Sequence, residues 1–128
     1  MIRGTTAQFK FELPCTKGEL ASATITFWQS EMKSEYLPIV KKIDDCAGSD
    51  DAKILYVSLT PSETLWFSDK YKAKVQLRAK KNDNTVFASH QQLITVYPIN
   101  GDIAVDGEIE AAPIENGWTK LDGGTVII

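Results

Sequence analysis

Histidine is nearly absent from this 128-residue chain: His90 stands alone, with only two cysteines, Cys15 and Cys46. One imidazole and two scattered thiols fall short of the four ligands of a structural zinc site. The cysteines lack CxxC spacing, and without a secretion signal two free thiols are expected in place of a disulfide. No apolar run approaches the roughly 20 residues of a membrane span. The opening Met1–Pro14 lacks the apolar stretch of a signal peptide. A protein made and kept in a cytoplasm, or released from one by lysis, is therefore expected, with no membrane partner.

Recognisable chemistry is equally scarce. The sequence contains no GxGxxG, Walker A, HExxH or GxSxG motif. Ser89 precedes His90, but neighbours on a strand point to opposite faces and cannot form a nucleophile–base pair. Asp44-Asp45 and Asp50-Asp51 bracket Cys46-Ala47-Gly48-Ser49 without the Asp-x-Asp-x-Asp-Gly order of an EF-hand. They read as a solvated acidic loop. Neither an enzyme nor a cofactor is expected.

What the chain does have is alternation. Tyr71–Lys81 reads YKAKVQLRAKK, with Tyr71, Ala73, Val75, Leu77 and Ala79 alternating with cations and a glutamine. That period of two marks a half-buried strand. Asn82-Asp83-Asn84 follows, residues that tolerate the positive φ of a tight hairpin loop. Thr85–Pro98 then reads as the returning strand. Further strands are expected at Ala7–Leu13, Ala21–Gln29, Glu35–Lys42 and Lys53–Leu59. Phe9, Phe11, Leu13, Ala23, Ile25, Phe27, Leu55, Val57 and Leu59 mark their apolar faces. Pro38 places the third of these at a sheet edge, because proline cannot donate a ladder hydrogen bond.

Thr60-Pro61-Ser62-Glu63 combines an N-cap threonine, a first-turn proline and a glutamate at the third helical position. This capping box predicts a helix of one or two turns, crossing between sheets. The pattern spells an all-β fold over residues 1–98: an immunoglobulin-like antiparallel β-sandwich with one short crossover helix. The Cys…Trp…Cys spacing of antibody domains is missing, so only the architecture is implied.

Residues 99–128 differ in texture. They hold six acidic residues and one basic, a charge of −5, whereas the remainder holds 13 basic and 11 acidic. Ile99–Asn116 suits an acidic linker or arm. Trp118–Leu121, Asp122-Gly123 and Gly124–Ile128 then carry the signature of a terminal β-hairpin. An isolated hairpin is marginal in water, so this one is expected to dock. Trp118, Leu121, Val126 and Ile128 are its candidate contacts, by strand addition on its own body or on a neighbour's. The alternatives are a tail folded back in cis or one left disordered.

Lys72, Lys74, Arg78 and Lys80 form a basic row on the wet face of the central strand. Phosphate binding is one reading and a solvated sheet face another. The missing interleaved aromatics and the acidic balance of the chain count against nucleic acid. A third reading makes the basic body the receiver of a neighbour's acidic tail. Trp28, on the outer face of its strand, is the further contact candidate.

Several stretches together resemble a family. Met1-Ile2-Arg3-Gly4-Thr5-Thr6, Leu13-Pro14, Leu59-Thr60-Pro61-Ser62-Glu63-Thr64-Leu65 and Val75-Gln76-Leu77-Arg78-Ala79 are four of them. Phe87-Ala88-Ser89, Leu93-Ile94-Thr95-Val96-Tyr97-Pro98 and Leu121-Asp122-Gly123-Gly124 complete the set. The chain is similar in these to small structural proteins of phages and prophages of Firmicutes, of the virion or tail region. The resemblance implies a virion building block assembled in the host cytoplasm: a connector or decoration of head, neck, tail or baseplate. Its partners would be other virion proteins and further copies of itself, with Met1–Thr6 as a second arm. Two other classes stay open. One is a carbohydrate- or receptor-binding module at a tail tip, using Trp28, Tyr36 and Trp66. The other is a cytoplasmic inhibitor or regulator.

Overall fold

A computed structural model of the chain describes residues 1–29, 38–99 and 126–127. Its strands are β1 (Ala7–Glu12), β2 (Leu20–Gln29), β3 (Ile39–Lys42), β4 (Ile54–Leu59), β5 (Ala73–Lys81), β6 (Val86–Ala88), β7 (Gln92–Ile94) and β8 (Val126–Ile127). One sheet has the order β4–β1–β8, and the other runs β3–β2–β5–β6 with β7 also on β5. All pairings are antiparallel except β8 on β1, which is parallel. The described part is an all-β sandwich whose chain changes sheet after β1, after β3, after β4 and after β7.

Period-two alternation accounts for the core. Phe9, Phe11, Leu55, Val57 and Leu59 from one sheet meet Ile25, Phe27, Val75 and Leu77 from the other, all essentially inaccessible. Phe9 and Phe27 touch across the gap, ring centroids 5.1 Å apart and tilted by 51°, a favoured aromatic geometry. The capping box forms as expected. Glu63 N donates to Thr60 Oγ1 at 3.2 Å, and Thr60 N donates to Glu63 Oε1 at 2.9 Å. The helix α1 it starts is short, Pro61–Thr64. Beyond it Phe67 plugs the core, while Leu65 and Trp66 are half-buried.

The hairpin loop after β5 also follows its sequence. Asn84 N donates to Lys81 O at 3.0 Å, and Asn84 takes a φ of 70°. This is a three-residue loop, a type I turn closed by a left-handed residue. Asp83 accepts Thr85 N–H at 2.9 Å, and hydrogen bonding to Thr85 holds its carboxyl below the usual range.

The returning strand departs from the expected single run. Arg78 pairs with Ala88 and Lys80 with Val86, yet Val75 pairs with Gln92 and Ala73 with Ile94. Ser89, His90 and Gln91 thus stand opposite only Gln76 and Leu77, a bulge of one extra residue. Ser89 holds it together. Its N–H donates to Leu77 O, its hydroxyl accepts Leu77 N–H at 3.0 Å, and its carbonyl accepts from the Gln76 amide at 2.9 Å. One inserted residue reverses every side chain beyond it. Inward positions are odd at Phe87 and Ser89 but even at Ile94 and Val96. At the other end of the hairpin, Tyr71 is exposed and β5 begins only at Ala73.

The N-terminal segment is bound to the body rather than reaching out as an arm. Ile2 bridges Tyr97 in parallel, Tyr97 N donates to Met1 O, and Arg3 N donates to Tyr97 O. The Arg3 guanidinium donates to Phe67 O at 2.7 Å and Leu65 O at 3.1 Å.

Gln29, at the end of β2 and 1% exposed, holds the crossover from the other side. Its amide donates to Ser68 O at 2.7 Å and Tyr71 O at 2.8 Å, and its Oε1 accepts Ser68 N–H at 2.8 Å. Gln29→Leu keeps the bulk and strands those three backbone groups. Each unpaired buried group costs about 1–3 kcal/mol, so the variant should lose about 3 kcal/mol or more in urea unfolding with an unchanged m-value. A loss under about 1 kcal/mol would mean that the backbone groups find other partners.

Candidate functional site

The outer face of the β3–β2–β5–β6 sheet brings together side chains scattered through the sequence. The register places Ser22 beside Lys80, Thr24 beside Arg78, Thr26 beside Gln76 and Trp28 beside Lys74. On the far side of β2, Lys42 stands next to Thr24 and Val40 next to Thr26. On the far side of β5, Val86 flanks Lys80, Ala88 flanks Arg78 and Leu93 flanks Lys74. These residues share one face because their partners at odd spacing, Ile25, Phe27, Val75 and Leu77, are committed to the core.

Two sequence candidates meet directly here. Lys74 Nζ lies 4.9 Å from the centroid of the Trp28 ring, a cation–π contact worth about 0.5–1 kcal/mol at an exposed position. Trp28 still offers 40% of its surface to solvent. Arg78 lies two residues along the same face, and Lys72 is exposed just ahead of β5. Shallow hollows of about 290 and 150 Å³ adjoin at Thr26. The first is lined by Thr24, Arg78, Lys80 and Val86, the second by Trp28, Lys74, Gln76 and Gln91.

The face is basic and partly apolar. Lys42, Lys74, Arg78 and Lys80 supply charge, and the strands supply no carboxylate there. The ion pairs Lys41–Glu63 and Lys81–Asp83 lie off this face. Val40, Val86 and Leu93 are large apolar side chains exposed on this face. Leu93 and Val86 were not legible as surface contacts, because a continuous strand would give them one parity throughout. The polar run Ser89-His90-Gln91-Gln92 was the available hint of the bulge.

The remaining candidates separate from this face. Val126 pairs through its backbone with Phe11, and Ile127 with Glu12, on the edge of β1 in the other sheet. Trp118, Leu121 and Ile128 lie outside the described residues, as does Tyr36. Trp66 packs against the core, so it does not join Trp28 in an exposed platform. His90 is exposed in the bulge, while the Ser89 hydroxyl is engaged by Leu77 N–H.

Both thiols are free. Cys46 is half-buried near Asp45, and its Sγ lies 3.3 Å from Lys42 O, to which it can donate. Burial first, and then the Asp45 charge, push its pKa from 9.0 to about 11. Burial also raises that of Cys15. Among the described residues no group of three or more His, Cys, Asp and Glu side chains converges as a metal site. No helix there is long and apolar enough to cross a membrane. Comparison with protein families and with curated proteins returns no match.

The Cys46 shift has a defined consequence. Between pH 9.0 and about 11 the unfolded thiol releases its proton while the folded one keeps it. The unfolded state then binds fewer protons, so stability falls as pH rises through that window and is unaffected below it. Thiol titration of the folded chain at pH 8.5 should find Cys46 about 100-fold slower than in urea, since two pKa units separate the states. Equal rates in both would refute the shielding.

Proposed function

We propose that the chain is a non-catalytic structural component of a phage virion, a connector or decoration of head, neck, tail or baseplate. In this reading an immunoglobulin-like module supplies shape, and residues 99–128 form an arm that joins subunits by strand addition. The observation that carries it is the parallel seating of Val126–Ile127 on the edge of β1. Backbone hydrogen bonds give affinity to an added strand whatever chain it comes from, so a neighbour's terminus can take the same edge.

The other sheet edges support this choice by being poor acceptors. β3 is four residues long and starts directly after Pro38. The β6–β7 edge is interrupted by the Ser89 bulge. The outer side of β4 is capped where Ala47 and Tyr56 exchange backbone hydrogen bonds at 2.8 and 2.9 Å. Short strands, prolines and bulges all discourage edge pairing. A carbohydrate- or receptor-binding role at a tail tip would rest on Trp28 with Lys74, Gln76 and Gln91 around it.

Replacing Val126 and Ile127 together by proline removes two strand N–H donors without shortening the chain. In an infected host, incorporation of this variant into particles should drop to the level of a Gly117–Ile128 deletion, near background. Incorporation of both at the normal level would overturn the arm mechanism. Retained binding of wall polysaccharide by such chains, lost on Trp28→Ala, would favour the tail-tip reading.

A further inference from the structure

We infer that the outer face of the β3–β2–β5–β6 sheet receives the acidic segment, residues 102–115, of a second copy of this chain. The inference rests on the docking role proposed above and adds the second contact of that assembly. The β1 edge holds the terminal strand, and this face holds the segment that leads to it.

Charge and spacing carry it. Along β5, Lys74, Gln76, Arg78 and Lys80 recur every second residue on one face, so successive side chains are about 7 Å apart. In any extended backbone Asp106, Glu108 and Glu110 also fall on one side, at the same interval of about 7 Å. A segment laid along β5 therefore sets two of these three carboxylates opposite cations at one time. Lys42 widens the positive field on one flank, and the Ser22, Thr24 and Thr26 hydroxyls offer donors between the charges.

The second copy follows from the strand addition proposed above, in which residues 99–128 reach a neighbouring subunit. The β1 edge that seats Val126–Ile127 lies in the opposite sheet from the basic face, so one body offers such an arm two separate surfaces. Nucleic acid fits less well. Trp28 is the one exposed aromatic on these strands among the described residues, and bases need stacking platforms in series. The net charge of −3 would also repel a polyanion.

The test uses full-length chains, half of them labelled with ¹⁵N, mixed and treated with a water-soluble carbodiimide. This reagent joins an amine to a carboxylate only where they already pair. Mass spectrometry should find Lys74 or Lys80 linked to Asp106, Glu108 or Glu110 in mixed-isotope products, which can arise only between copies. Raising salt from 0.1 to 1 M cuts the screening length from about 10 Å to about 3 Å and should remove them. Arg78→Glu should reduce the Lys74 product by about tenfold, since like charges then face each other.

Products of a single isotope would mean the segment lies on its own body and would overturn the inference. So would the absence of these links, or their displacement by an equimolar DNA duplex. The docking role fails separately, through unchanged particle incorporation of the Val126, Ile127 proline variant.

Discussion

The sandwich depends on satisfying the backbone of the crossover between β4 and β5, which has no strand to pair with. Between Leu59 and Ala73 the chain leaves one sheet and enters the other, carrying Phe67 into the core. Buried N–H and C=O groups must find partners or cost free energy. Residues from distant parts of the chain supply them. Gln29 binds Ser68 and Tyr71, Arg3 binds Leu65 and Phe67, and the Thr64 hydroxyl binds Thr5 O at 2.9 Å. The end of β2, the N-terminal segment and the crossover are thereby locked as one unit. Lys41, reaching Glu63 at 2.9 Å, ties β3 into it. Fixing the entry to β5 in this way fixes the register of the sheet that carries the candidate site.

The second constraint is local. A single extra residue at Ser89 turns the outward set of the returning strand over halfway along. Before it Val86 and Ala88 face solvent; after it Leu93 does, and Ile94 enters the core. The bulge thus places two exposed apolar side chains, Val86 and Leu93, near opposite ends of a row of cations. It also spoils the edge of the strand for further pairing. One feature serves both the composition of the face and the choice of which edge stays open.

Charge separation gives these surfaces a common logic. The body carries a slight positive excess and residues 99–128 a charge of −5. The positive residues are not spread evenly. They gather on the outward side of β5, where the core-facing alternation leaves room for nothing buried. In the docking role proposed here, an edge in one sheet and a charged face in the other would be two dissimilar contact surfaces. Unlike surfaces on one subunit favour head-to-tail contacts, which close into rings or extend into filaments. The docking role proposed here has that character.

Much of the fold was written along the chain. The inward residues of β1, β2, β4 and β5, the Thr60–Glu63 capping box, the Asn84 turn and the edge position of β3 all follow from patterns a few residues long. They are legible because steric and hydrogen-bonding preferences act between near neighbours. The candidate site was legible only as separate parts, Trp28 on one strand and the basic row on another. Tertiary structure decided that Lys74 lies over Trp28, that Gln29 turns inward to hold a loop 39 residues away, and that Ser89 shifts the register. It also put β8 on β1. Each of these is a pairing between segments far apart in sequence, and such a pairing depends on which strands lie side by side rather than on the residues of either one.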